Sequence, residues 1–149
     1  MPETKGRYAV VVGSFYTELA ERLTAGAKEE FARDGIPEAA IDVFEVPGAF
    51  ELPLAASYAA RSGRYEGVAC LGAVIRGETD HYDFVCSEAA RGIQNVQLDT
   101  GVPCGFGVLT VDSMDKALAR TGGGGKRDSG ANAARAVLRM NEIRRELLG

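Results

Sequence analysis

The sequence predicts an α/β protein, a three-layer α/β/α sandwich built on a four-stranded, mainly parallel sheet. Two observations carry that expectation. Short β-branched runs alternate with longer stretches of helical periodicity, the order that right-handed βα units produce. The run Gly67-Val68-Ala69-Cys70-Leu71-Gly72-Ala73-Val74-Ile75 is also apolar at odd and even positions alike, as a parallel strand covered on both faces must be.

Taken in order, Tyr8-Ala9-Val10-Val11-Val12-Gly13 is the first strand, closed by its glycine. Leu19, Leu23, Ala27 and Phe31 then recur every fourth residue, with Glu21, Arg22, Lys28 and Glu29 between them, which makes an amphipathic helix. Residues 41–46 form a second strand halted by Pro47-Gly48, and a helix over about 49–61 follows. Its Pro53 is tolerable because it lies near the start. The apolar run 67–75 is the third strand, and the next helix covers about 80–98. Residues 103–111 are the fourth strand, after which Ser113 caps a short helix ending near Arg120. The last helix places Ala133, Val137, Met140, Ile143 and Leu147 on one stripe and Arg135, Arg139, Glu142 and Glu146 on the other side.

A chain of 149 residues is one ordinary domain, able to bury roughly 68–70% of its unfolded surface. The expected domain spans residues 1–149, with 1–7 as a flexible N-terminal segment. Apolar content of 46% and charged content of 26% fit a soluble globular protein. Seventeen basic residues against twenty-one acidic ones give a net charge of −4, which argues against a nucleic-acid partner. No stretch is long and apolar enough to span a membrane. The start Met1-Pro2-Glu3-Thr4-Lys5 lacks the build of a secretion signal, so a cytoplasmic location is expected. Cys70, Cys86 and Cys104 are far apart and accompanied by a single histidine, a poor basis for a zinc site. Cys70 and Cys104 sit in apolar runs and are expected to be small buried hydrophobes. Gly122-Gly123-Gly124-Gly125 reads as a connection between the last two helices. It lacks the Gly-Lys-Ser/Thr ending of a nucleotide P-loop.

Ligands of open parallel sheets bind at the carboxyl ends of the strands. Those ends carry Ser14 and Phe15, then Pro47 to Glu51, then Arg76-Gly77-Glu78-Thr79-Asp80-His81. His81 is the one side chain there whose ordinary pKa suits proton transfer near neutrality. Thr79 and the amides opening the following helix make an anion site, and Gly77 would let the backbone approach a ligand closely. Each residue also has a plainer reading. A lone histidine in a first helical turn is more often a surface or capping residue. Glu51 reads as a first-turn acid complementing the helix dipole or as an acceptor for polyol hydroxyls and ring N–H groups. Phe15 and Phe50 read as core, or as aromatic platforms for a flat heterocycle. Arg120 reads as a charge at a helix end or as a phosphate clamp.

Together these pieces resemble a known family. Val11-Val12-Gly13-Ser14-Phe15, Val46-Pro47-Gly48-Ala49-Phe50-Glu51-Leu52-Pro53, the block from Leu71 through Val74-Ile75-Arg76-Gly77-Glu78-Thr79-Asp80-His81 to Val85, and Pro103-Cys104-Gly105-Phe106-Gly107-Val108-Leu109-Thr110 look like the motif blocks of lumazine synthases. They occur in that order and at matching separations, from about Tyr8 to the final helix. The fold expected is then flavodoxin-like.

The resemblance implies condensation of 5-amino-6-(D-ribitylamino)uracil with 3,4-dihydroxy-2-butanone 4-phosphate to a lumazine, without metal or organic cofactor. It implies that Phe15 stacks on the pyrimidine and that Ala49, Phe50 and Glu51 line the ribityl and ring pocket. Ala73, Val74 and Ile75 match strand-end contacts to the same substrate. Glu78 and Thr79 match the turn that holds the butanone phosphate, and His81 matches the proton donor. Phe106 and Arg120 match residues supplied by a neighbouring subunit, so the resemblance implies at least a homopentamer, with a decamer or a sixty-subunit shell as larger options. Riboflavin synthase is a further partner that it brings into view.

Three departures stand out. Asp128-Ser129-Gly130 replaces the family's usual Asn-Lys-Gly, Asn132 stands where an acid is usual, and the 122–125 loop is about one residue longer. The first of these motivates an alternative, a catalytically weak paralogue that binds flavin or lumazine. A flavodoxin-like electron carrier is disfavoured, because no glycine- or serine/threonine-rich loop follows the first strand.

Overall fold

The computed structural model describes residues 6–77, 81–122 and 127–149. Its strands are β1 (Tyr8–Gly13), β2 (Ile41–Val46), β3 (Gly67–Ile75) and β4 (Cys104–Val111). The helices are α1 (Thr17–Arg33), α2 (Leu52–Arg61), α3 (Tyr82–Thr100), α4 (Met114–Leu118) and α5 (Ser129–Leu148). Strand order is β2-β1-β3-β4 and every pairing is parallel. Helices cover both faces, as the flavodoxin-like three-layer expectation requires.

The apolar alternation of the strands divides the core in two. Val10, Val12, Ala69 and Leu71 point to one side, where they meet Leu19, Leu23 and Phe31 of α1 and Ala133 and Val137 of α5. Val11, Val68 and Cys70 point to the other, against Leu52 and Ala56 of α2 and Ala89 and Ile93 of α3. Cys70 and Cys104 are buried, as their apolar surroundings foretold. The edge strand β2 differs, since its Val43, Phe44 and Glu45 are exposed.

Several sequence expectations need correction. The helix expected from residue 49 opens as a single 3₁₀ turn, Ala49–Glu51, and becomes α-helical only at Leu52, which leaves Pro53 in the first turn where its missing N–H costs nothing. The stripe expected on α5 is split. Ala133 and Val137 are buried, but Met140 and Leu147 are exposed, Leu147 by 74%. The core-facing row continues instead through Leu138 and Asn141. Asn141 is only 1% exposed, and its Nδ2 donates to the Glu66 carbonyl at 3.0 Å and to the Tyr8 hydroxyl at 3.3 Å. A polar residue thus occupies a core position because its partners are there, and a pattern of apolar residues cannot register it.

Of the segment 1–7 expected to be flexible, Gly6 and Arg7 are tied down. The Gly6 N–H donates to the Glu66 carboxylate, and the Arg7 guanidinium meets Asp42 at 3.0 Å. No described helix is long and apolar enough to cross a membrane.

Candidate active site

The carboxyl ends of β1 and β3, with the turn after β2, form an open cleft of about 170 Å³. Phe15, Tyr16, Gly48, Ala49, Phe50, Ala73, Val74, Ile75 and Val85 line it. The chain leaves β1 at Gly13, and the Ser14 N–H donates to the Val46 carbonyl at 2.9 Å. That bond places the loop after β1 beside the loop after β2. Phe15 is consequently 71% exposed and Phe50 58% exposed, which corrects the reading of either as core. The Phe15 and Tyr16 rings meet edge-on, with centroids 4.9 Å apart. Two large rings held in water at a strand end retain unsatisfied apolar surface, which a flat ligand would cover.

Glu51 shapes this wall. Its Oε1 accepts from the Gly48 N–H at 2.9 Å and closes the turn that presents Ala49 and Phe50. Among the described residues its other oxygen takes no hydrogen bond, so it has acceptor capacity left for a ligand. Glu51 thus acts in this structure as a capping acid for the turn.

The third loop leaves β3 at Ile75, where the Arg76 N–H donates to the Val111 carbonyl at 2.8 Å. Gly77 follows with φ 87°, a left-handed conformation natural to glycine, and turns the chain back toward α3. Glu78 and Thr79 lie outside the described residues. His81 is exposed and occupies the N-cap position of α3, its carbonyl accepting from the Val85 N–H at 2.9 Å. The next residue is anchored. The Arg76 guanidinium lies 4.3 Å from the centre of the Tyr82 ring and 3.9 Å from Asp83. Burial, and then the neighbouring Cys86, push the Tyr82 phenol up from its ordinary value. His81 thus stands at the head of α3, beside a tyrosine whose ring packs against the Arg76 guanidinium.

Phe15, Ala49, Phe50, Ala73, Val74 and Ile75 come together in one chain, with Glu51 in the same wall. Phe106 and Arg120 do not line this cleft. Phe106 pairs in register with Cys70, well below the strand ends, and is 44% exposed in a separate groove with Gln97, Ala136 and Met140. Arg120 is half-buried just beyond α4. Sequence reasoning missed Tyr16 and Val85 as lining residues. Tyr16 could have been found as the second aromatic after β1, and Val85 as the residue one helical turn beyond His81.

The fold and site define a parallel α/β protein with a cleft open to a small molecule at the strand carboxyl ends. The family model described as 6,7-dimethyl-8-ribityllumazine synthase matches residues 5–145, and the chain belongs to that family, whose members are transferases of riboflavin biosynthesis.

Proposed function

We propose that this chain condenses 5-amino-6-(D-ribitylamino)uracil with 3,4-dihydroxy-2-butanone 4-phosphate, giving 6,7-dimethyl-8-ribityllumazine, inorganic phosphate and two molecules of water. The observation that carries the reading is the exposed aromatic pair Phe15 and Phe50 on either side of a strand-end cleft, with His81 at the head of the adjoining helix.

The uracil amine adds to the ketone, and loss of water leaves an imine. A proton is removed from carbon, phosphate departs, and the ribitylamino nitrogen closes the ring with loss of the second water. Each step moves a proton, and one imidazole whose ordinary pKa is near neutrality serves all of them. Holding both substrates in one cleft supplies a large part of the acceleration. Glu78 and Thr79 hold the phosphate in this reading. Phe106 and Arg120, which lie off the cleft, come from another copy, to the heterocycle and the phosphate respectively. That arrangement requires a homo-oligomer, at least a pentamer. Three free thiols accord with a cytoplasmic location.

The binding-only alternative drew on Asp128-Ser129 in place of the family's usual Asn-Lys. In the structure Asp128 caps α5, its Oδ1 accepting from the Ala131 N–H at 3.0 Å. Asp128 therefore keeps the capping role open to asparagine, and the family match favours the enzyme over the binding-only reading. The deciding experiment mixes purified protein with both substrates and follows the fluorescence of the lumazine. Turnover is expected without added metal; a silent assay with correctly assembled protein would overturn the reading.

A further inference from the structure

Arg120 is the phosphate contact in the reading above, and the next question is what fixes its place. Its main chain is held from two sides. The Arg120 N–H donates to the Ala117 carbonyl at 3.0 Å, and its own carbonyl accepts from the Ser129 N–H at 2.9 Å. Thr121 and Asp128 form an antiparallel bridge, and the Gly122 N–H reaches the Arg127 carbonyl at 2.9 Å. The buried Thr121 adds a hydroxyl bond to the Leu118 carbonyl at 2.8 Å. Residues 120–122 are thereby buckled to residues 127–129 at the start of α5.

The centre of that buckle is the Asp128 side chain. Besides capping α5, it fills space that two glycines leave open. A Cβ on Gly26 of α1 would lie 2.3 Å from Asp128 Oδ1, and a Cβ on Gly122 would lie 2.7 Å from Oδ2. The carboxylate is thus seated between α1 and the segment that follows Arg120, with one oxygen bonded to the helix amide. Among the described residues, the Arg120 guanidinium forms no hydrogen bond or ion pair of its own. Its position is set by its backbone, and its backbone by the buckle.

We infer that Asp128 is a positioning residue for Arg120: seated between Gly26 and Gly122, it fixes where the guanidinium emerges and so sets affinity for the phosphate group. The inference rests on the reading of Arg120 as the phosphate contact.

The test uses the full-length assembled protein and inorganic phosphate as the probe, with binding measured by calorimetry. The KM values of both substrates are measured in parallel. Arg120→Ala is expected to weaken phosphate binding by roughly tenfold to a hundredfold, the range of a lost charge-assisted hydrogen bond. Asp128→Ala is expected to weaken it by roughly fivefold to tenfold through misplacement alone. It should raise KM for the butanone phosphate and leave KM for the uracil within about twofold. Asp128→Asn keeps the capping oxygen and the shape, and should restore affinity to within about twofold. In the Arg120→Ala background, Asp128→Ala should add nothing, because residues acting as one unit are not additive. If Asp128→Ala fails to fold, Gly26→Ala crowds the same seat from α1 with the carboxylate still present and should reproduce the selective loss.

A fall in melting temperature with unchanged phosphate affinity would overturn the inference. So would an equal loss in both backgrounds, or an equal loss in Asp128→Asn. If Arg120→Ala itself leaves phosphate binding intact, the reading of Arg120 fails, and the inference falls with it by a different pattern of results.

Discussion

The two ends of the sheet solve opposite problems. At the amino ends of the strands, polar groups are matched to one another. Asn141 joins Tyr8 and the Glu66 carbonyl, the Glu66 carboxylate receives the Gly6 N–H, and Asp42 accepts from Tyr65 at 2.6 Å and from Arg7 at 3.0 Å. At the carboxyl ends, Phe15 and Phe50 stand in water and His81 is exposed at a helix head. These bonds tie the strand starts together, with the buried Asn141 Oδ1 left without a partner among the described residues, whereas the exposed rings keep apolar surface that a ligand would cover. With the proposed function, stability and catalysis fall at opposite ends of one sheet, and substitutions should separate them.

The sharpest separation comes from His81→Ala. It should lower kcat by roughly a hundredfold to ten-thousandfold, the usual contribution of general acid–base catalysis, with melting temperature nearly unchanged. A large thermal shift, or an unaltered rate, would break the division. The converse change is Asn141→Ala. Removing the partner of a buried carbonyl and a buried hydroxyl costs about 1–3 kcal/mol, read as an earlier midpoint in denaturant with kcat per folded subunit preserved. The smallest effect concerns acid. Hydrogen bonds from Tyr65 and then Arg7 hold the Asp42 carboxyl below its ordinary value. A depressed folded-state pKa gives stabilisation that is full above the ordinary aspartate value of about 3.9 and fades as pH falls through the lower folded value. Tyr65→Phe removes the larger cause, so its stability deficit should be present at neutral pH and shrink on acidification below the ordinary aspartate value. A deficit independent of pH would show that the phenol acts through packing alone.

The same two ends differ in how legible they were beforehand. Strand and helix spans were readable because apolar periodicity reports burial, and strand-end chemistry was readable because parallel sheets place ligands there. Phe15, Ala49 and Phe50 were placed at the cleft in that way, whereas Ala73, Val74 and Ile75 came only through the family resemblance. The polar end was invisible. Asn141 interrupts the apolar row of α5, and its partners Tyr8 and Glu66 lie far away in sequence, so the outward-facing Met140 and Leu147 were taken into the stripe in its place. The roles proposed for Phe106 and Arg120 rest on resemblance alone, since the folded chain does not bring either to the cleft.

The uncovered rim of β2 has one more consequence. Among the described residues that strand has a neighbour on one flank only, and it turns Val43 and Phe44 to solvent, leaving main-chain donors and acceptors without strand partners. Any association that shelters this border links folding free energy to the amount of chain present. How firmly a subunit holds together and how many subunits gather then cease to be separate quantities.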